Sequence, residues 1–295
     1  MINSQNLLND YVSSLKPPIS LLNVFVGLAA ILLAVGLHAS PAVMLLTGLS
    51  GFLAAGGASA LNCYIDRDVD RRMSRTRKRP IPDGRVPASN ILLMGLLLLA
   101  GGVGLAAVYL NLLTAFLVAL GGFWYIFIYT LWLKPRTKWN IVVGGAAGSF
   151  SALAGWSAAT GSIGLVGCLV AALIFLWTPG HFWGLAIAKS KDYETVEVPM
   201  LPVVDGETRV SAYTALSNIL LFPFTVALYL LSANWSNVIV TTAVGLAVFA
   251  LNFKFVLANI RLSRIADATS AWRVFKLSAS YLFTILCLIV IVHIL

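Results

Sequence analysis

The chain has 295 residues, of which 59% are apolar and only 11% carry a formal charge, against about 25% charged in an ordinary globular protein. With a mean hydropathy of +0.90, this mixture cannot clothe a water-facing surface, and it excludes a disordered chain, a collagen-like repeat and a disulfide scaffold. What remains is an all-α polytopic membrane protein, so the net charge of +9 bears on membrane topology rather than on nucleic acid, which is not an expected partner.

The first sixteen residues contain Asp10 and Lys16 and lack the pattern of a secretory signal. A helix needs about 20 apolar residues to cross a bilayer. Stretches of that kind recur at 20–37, 42–61, 91–109, 112–133, 141–159, 164–187, 211–231, 237–256 and 275–293. Nine transmembrane helices in a single membrane domain over 1–295 are therefore expected. Gly121 and Gly122 interrupt the fourth stretch, which is kept as one span.

The links after the first, third, fifth and seventh stretches hold no Asp, Glu, Lys or Arg. The alternate links hold the charge. Residues 62–90 carry eight Lys/Arg and four Asp, and residues 188–210 carry Lys189, Lys191, Asp192, Glu194, Glu197, Asp205, Glu207 and Arg209. Lys134, Arg136 and Lys138 follow the fourth stretch, and Lys254 to Lys276 surround the last link. The positive-inside rule makes this side cytoplasmic, with the N-terminus inside and the C-terminus outside. The two long links, 62–90 and 188–210, are expected to form a cytoplasmic cap. Polar chemistry confined to one side favours an enzyme over a channel or transporter, which needs access from both faces.

After the second stretch, Asn62, Asp66 and Asp70 are spaced i, i+4, i+8 and share one helix face. Two carboxylates and an amide oxygen at the end of a span suit a hard cation such as Mg²⁺, which fills its shell with water and substrate phosphate. The same spacing also suits a salt-bridged helix end. Asp68 faces elsewhere and is expected to pair with Arg71 or Arg72. A basic, proline-broken segment follows, with Arg75, Arg77, Lys78, Arg79, Pro80, Pro82, Gly84 and Arg85. It reads either as a topogenic cluster against anionic lipid or as a lid clamping a diphosphate.

Further along, the fourth stretch is rich in aromatics, including Phe123, Trp124, Tyr125, Phe127 and Tyr129, and the sixth carries Trp177, Phe182 and Trp183. They read as bundle packing or as a wall that shelters a cation or stacks on a flat molecule. Gly144, Gly145, Gly148 and Gly155 permit close helix approach. His181 is the ionisable group that stands inside the sixth stretch, behind Pro179 and Gly180, which can bend it. It reads as a bonded bundle histidine or as a functional group. His38 and His293 lie at the outer boundary. Cys63, Cys168 and Cys287 are scattered and odd in number, which fits small apolar filler.

Together these pieces resemble the UbiA superfamily of intramembrane prenyltransferases. Its first acidic motif matches Asn62, Asp66 and Asp70. The chain is more similar to the branch that farnesylates protohaem IX, through Arg75 to Gly84, Tyr129 to Gly145 with Lys134 and Asn140, and Trp177, Thr178, Pro179, His181, Phe182 and Trp183 with Asp192, Tyr193 and Pro199 to Pro202. The likeness covers nearly the whole chain. It departs where Gly180 replaces a second proline, where Ser151 and Ala152 replace a proline pair, and where Glu197 replaces a glycine.

The resemblance implies a nine-helix UbiA-like bundle and a Mg²⁺-dependent transferase. In it Asn62, Asp66 and Asp70 hold the metal, Asp192 contributes a thinner second site, and Arg75, Arg79, Lys134 and Lys191 clamp the diphosphate. Tyr125, Tyr129, Trp177, Phe182 and Trp183 would line the prenyl and haem pocket. It implies farnesyl diphosphate and haem b as substrates, haem O as product, membrane lipid as surroundings, and a haem A synthase or terminal oxidase downstream. His181 would ligate the haem iron, contact a propionate or manage a proton. The lack of an Arg-rich, Ser-rich presequence fits a bacterial inner membrane. The rival expectations are a sister enzyme acting on an aromatic quinone precursor, a transporter and a haem-handling assembly factor.

Overall fold

The structure is a computed structural model that describes residues 4–295, with side chains from Leu7 onward. Among the described residues the regular structure is helical throughout. Among the described residues nine helices are long and apolar enough to cross a membrane: Pro17–His38, Pro41–Ile65, Ala88–Tyr109, Leu112–Leu133, Asn140–Thr160, Leu165–Ala188, Glu207–Ser232, Val238–Ile265 and Ala268–Ile294. They are called spans one to nine. The chain is an integral membrane protein.

Local chemistry sets the ends of these helices. Pro17 and Pro41 open the first two spans, where a missing N–H costs nothing. The side chains of Asn111, Asn237 and Asp267 accept from the backbone N–H three residues on and cap spans four, eight and nine. Gly161 ends span five in the left-handed region, at φ 68°. Spans eight and nine run further than their apolar stretches, to Ile265 and back to Ala268. Hydropathy marks the part of a helix that lies in hydrocarbon, and nothing between 257 and 265 stops the helix from continuing past it.

The links between spans one and two, three and four, five and six, and seven and eight are a few residues without formal charge. All charged links therefore gather at the opposite end of the bundle. There residues 66–87 and 189–206 fold down as short helices and turns. Ile81 and Val86 pack against Ala60, Cys63 and Ile91. Tyr193, Val196, Val198 and Met200 pack against Met73, Ile141 and Ala186. The Ser74 hydroxyl donates to Asp192 Oδ1 at 2.6 Å, and Lys138 pairs with Asp205 at 2.7 Å. The two long links are thus knitted to each other and to the link after span four. Asp68 pairs with Arg67, at 3.7 Å, and not with Arg71 or Arg72.

The bundle core joins Val26, Val170, Leu173, Leu228, Phe255, Tyr281 and Ile285 from spans one, six, seven, eight and nine. Small residues allow backbones to meet. A Cβ on Gly155 would overlap the carbonyl of Gly27, so span five lies directly on span one. A polar seam also runs through the buried side of spans seven to nine. Asn218 Nδ2 donates to Asn259 Oδ1 at 2.8 Å, and Thr225 and Tyr281 both donate to Asn252 Oδ1. Sequence reasoning passed over these asparagines, since no charge or motif marks them. The Asn218–Asn259 bond joins spans seven and eight, and Asn252 joins span eight to Thr225 on span seven and Tyr281 on span nine.

Candidate active site

Span two ends at Ile65 and a further short helix, Arg67–Arg72, continues it. The backbone bonds Asp66 N to Asn62 O and Asp70 N to Asp66 O bridge the junction, at 2.9 and 2.8 Å. The i, i+4, i+8 face therefore survives the break. Asn62, Asp66 and Asp70 are all buried and all line one cavity of about 420 Å³.

Each member of this triplet meets a cation from a different part of the chain. Lys16 Nζ donates to Asn62 Oδ1 at 2.5 Å, Lys134 Nζ to Asp66 Oδ2 at 2.5 Å, and Arg79 to Asp70 Oδ2 at 2.6 Å. Asn62 Nδ2 also donates to Asp66 Oδ2, at 2.9 Å, and to Thr130 Oγ1, at 3.0 Å. Burial works against the charge on Arg79, but Asp70, with Cys63 and Tyr125, offsets it, and the guanidinium stays above its ordinary value. Burial opposes the Lys16 ammonium too, yet Tyr125, Cys63 and Asp66 leave it above the usual lysine value.

Only the Oδ2 atoms of Asp66 and Asp70 carry these bonds. Neither Oδ1 atom has a side-chain partner among the described residues, and both residues line the cavity. Two free carboxylate oxygens at the mouth of a cavity are hard donors and fit Mg²⁺. Among the described residues no trio of His, Cys, Asp or Glu is gathered as a metal cluster, so an ion here would complete its shell with substrate oxygens and water.

Span four supplies the adjoining wall. After Phe123 it widens into a π-helix, Trp124–Leu133. Thr130 Oγ1 donates back to Tyr125 O, and Lys134 N donates to Tyr129 O, at 2.8 and 2.9 Å. This wider turn brings Tyr125, Tyr129, Thr130 and Lys134 onto one face, a device common at functional sites. Tyr125 and Tyr129 stack with centroids 5.8 Å apart and line the cavity. Arg75 also lines it, with a guanidinium nitrogen 3.5 Å from the Tyr193 hydroxyl.

Span six forms the far wall through Ile174, Trp177, Thr178, His181, Phe182 and Leu185, which repeat at helical spacing. The helix runs through Pro179. Gly180 is required there because a Cβ would overlap the amide of Asn218. The His181 ring lies between Trp177, with centroids 4.2 Å apart, and Phe275, at 4.4 Å.

The structure does not bring every expected residue here. Trp183 sits about 200° around span six from His181 and packs with Ile187, Leu201, Val210 and Leu262, away from the cavity. Lys191 is exposed and outside the cavity lining. Asp192 is held by Ser74 and also lies outside it. Conversely, Lys16 and Phe275 line the site with no motif to announce them, while Thr130, Tyr193 and Met200, which fall within the stretches that carry the resemblance but had no site role there, also belong to the site or its walls. Lys16 had one signal, a lone charge directly before a span, which the topology reading absorbed.

Comparison with known proteins places this geometry. The family model described as the UbiA prenyltransferase family matches residues 23–292. The chain is 43% identical to "Protoheme IX farnesyltransferase 1" of Cenarchaeum symbiosum (strain A), over 79% of this chain and 76% of that protein. It is 37% identical to "Protoheme IX farnesyltransferase" of Roseiflexus castenholzii, over 94% of this chain and 51% of that protein, so it spans about half the length of this relative. Among solved structures it is similar to a UbiA homolog from Archaeoglobus fulgidus bound to DMAPP and Mg²⁺, with a TM-score of 0.70, 16% identity, and coverage of 94% of this chain and 99% of that one.

Proposed function

The chain belongs to the UbiA prenyltransferase family, and on that premise we propose that it transfers farnesyl from farnesyl diphosphate to a vinyl group of haem b. Water adds in the same conversion, and the product is haem O. One observation carries this reading. A single cavity has buried carboxylates and cations at its mouth and an aromatic, apolar body that reaches His181. The names of the relatives at 37–43% identity support the same substrates.

Asp66 and Asp70 would hold Mg²⁺ through their free oxygens, with Asn62 beside them; the solved A. fulgidus homolog, described as bound to Mg²⁺, supports the choice of metal. When bound, the ion supplies Lewis-acid stabilisation of the departing diphosphate. Lys16, Arg75, Arg79 and Lys134 surround the same space and neutralise phosphate oxygens by charge-assisted hydrogen bonds. As the allylic C–O bond breaks, positive charge develops on the prenyl carbon. The faces of Tyr125, Tyr129, Trp177 and Phe182 attract it and exclude water until the vinyl group attacks. Lys191, Asp192 and Trp183 have no part in this proposal.

The charged end faces the cytoplasm in this reading, with the N-terminus inside and the C-terminus outside a bacterial inner membrane. A charged diphosphate then stays at the mouth while prenyl chain and porphyrin lie between helices. A haem A synthase or a terminal oxidase would consume the product.

The test is incubation of the purified protein in detergent with haem b, farnesyl diphosphate and Mg²⁺, followed by mass spectrometry of the extracted haem. The expected product carries the added mass of farnesyl plus water and disappears on chelation of Mg²⁺. Unmodified haem, with prenylation of an aromatic acid by the same preparation, would replace haem by a quinone precursor as acceptor.

A further inference from the structure

We propose that Ser278, on span nine, fixes the tautomer of His181 so that its Nε2 lone pair faces the cavity as an axial ligand for the porphyrin iron. The inference deepens the haem reading above and rests on it.

Three contacts define the arrangement. His181 Nδ1 lies 2.5 Å from Ser278 Oγ, and Ser278 Oγ lies 2.8 Å from the carbonyl oxygen of Phe275. Trp177 Nε1 donates to the carbonyl of Ser278 at 3.0 Å and locks span six to span nine at this level. A hydroxyl has one hydrogen to give, and a carbonyl oxygen can only accept. If Ser278 donated to His181, two oxygens would face each other at 2.8 Å with no hydrogen between them, which is repulsive. The chain of bonds is therefore satisfied in one direction, from Nδ1–H to Oγ and from Oγ–H to the Phe275 carbonyl. In the neutral ring Nε2 must then carry the lone pair.

The rest of the ring has little freedom. Trp177 and Phe275 cover its two faces, and the Phe182 ring meets it edge-on at 5.6 Å. Nδ1 is committed to Ser278. The edge that remains carries Nε2, for which no side-chain partner is found among the described residues, and His181 lines the cavity. A half-buried imidazole whose one N–H is held by a partner that passes the bond on to a backbone carbonyl, with its other nitrogen bare, is arranged as a metal-ligating histidine is. Haem b brings an iron with open axial positions. A propionate would demand a donor from Nε2, which the neutral tautomer does not offer.

Ser278 is a positioning residue here and touches no substrate. Its test is a titration of ferric haem b into the purified full-length protein, without prenyl diphosphate, read at the Soret band. The wild type is expected to bind with a saturable Soret shift that His181→Ala abolishes. Ser278→Ala is expected to weaken haem binding about 10–100-fold, the usual effect of removing such a partner, and to alter the Soret position, while farnesyl diphosphate affinity stays unchanged. Ser278→Thr, which keeps the hydroxyl, should restore the spectrum, and Ser278→Val, of the same shape without it, should not. This pair keeps the test sharp where the alanine variant folds poorly. Wild-type affinity and spectrum in Ser278→Ala or Ser278→Val would overturn the assignment. A protein that makes farnesylated haem but shows the same Soret shift without His181 would overturn it too and leave the proposed reaction standing. A wild type that binds no haem would remove both.

Discussion

Lys16 Nζ stands 2.5 Å from Asn62 Oδ1 and 3.4 Å from the Tyr125 hydroxyl, so the residue just before span one reaches the heart of the site on span two. It does so from a strained backbone. Lys16 has φ 48° and ψ 61°, left-handed, directly before Pro17, a conformation that costs a non-glycine residue about 1–2 kcal/mol. Strain of this kind persists where the surroundings over-determine it, and here the ammonium is held by partners on spans two and four.

This arrangement predicts that Lys16→Gly lowers activity while leaving stability nearly unchanged. Glycine accepts the left-handed region, so the unfolding midpoint should hardly fall. The ammonium is lost, however, and a charge-assisted bond is worth about 1.5–3 kcal/mol. The kcat/KM for farnesyl diphosphate should drop about 10–100-fold, mostly through KM, because the lysine also faces the diphosphate space. Steady-state kinetics beside a thermal melt decides it; wild-type KM in a folded variant would remove Lys16 from the site.

Asp66 calls for a different substitution than the motif alone suggests. Its Oδ2 is bonded to Lys134 and Asn62, and both members of the ion pair are largely shielded, at 15% and 9% side-chain exposure. Removing one partner of a buried pair costs about 3–5 kcal/mol because the other charge is stranded. Asp66→Ala would therefore confound lost chemistry with lost stability. Asp66→Asn keeps the shape and an acceptor oxygen for Lys134, and it removes the anionic charge that Mg²⁺ needs. Turnover should fall by about 100- to 1,000-fold, as for loss of a group acting mainly on the transition state, with a melt shifted far less than that of Asp66→Ala. Full turnover by the asparagine variant would end the metal assignment.

Much of this was legible before any coordinates, and the reason lies in particular residues. Nine spans follow from charge alternation, which is a long-range regularity that survives local errors. Asn62, Asp66 and Asp70 could be aligned because the helix continues through the break at Ile65. Trp183 was misplaced because adjacency in sequence was allowed to stand for adjacency in space, although a helix sends Phe182 to the cavity and Trp183 to the opposite side. Lys16 was missed because one short-range rule, charge at a membrane boundary, already explained it. Ser278 was beyond reach. A serine on a span has no periodic or charge signal, and its role arises only when span nine meets span six.

Gly144 shows how the site constrains a residue that has no polar group. Its Cα faces the ring of Tyr129, and a Cβ there would overlap the ring. Tyr129 in turn stacks on Tyr125 along the cavity wall. Gly144→Ala is expected to push the ring into the cavity at an overpacking cost of about 1–3 kcal/mol. The product yield should fall about tenfold or more, since small misplacements near reacting groups are costly. Combining it with Tyr129→Ala, which vacates the space, should restore the melting temperature more than the activity. Equal activity of Gly144→Ala and wild type would show that this wall does not shape the pocket.

Glu197 offers the cleanest separation of fold from chemistry. It has φ 56°, in the left-handed region, in the stretch between the helices Ser190–Glu194 and Leu201–Asp205. Its side chain is exposed and lies outside the cavity lining, while the flanking Val196 and Val198 are buried against Met73 and Ile141. The turn is thus demanded by two buried valines, and the residue between them meets the backbone cost without compensation. Glycine removes a left-handed penalty of about 1–2 kcal/mol and adds back about 0.5–1 kcal/mol through the freedom of its unfolded chain. Glu197→Gly should therefore raise the unfolding free energy by up to about 1.5 kcal/mol. Turnover and Mg²⁺ dependence should be unchanged, because Glu197 touches neither metal site nor pocket. A detergent-matched thermal melt beside the haem mass assay measures both, and a large loss of turnover without loss of stability would give Glu197 a part in the chemistry.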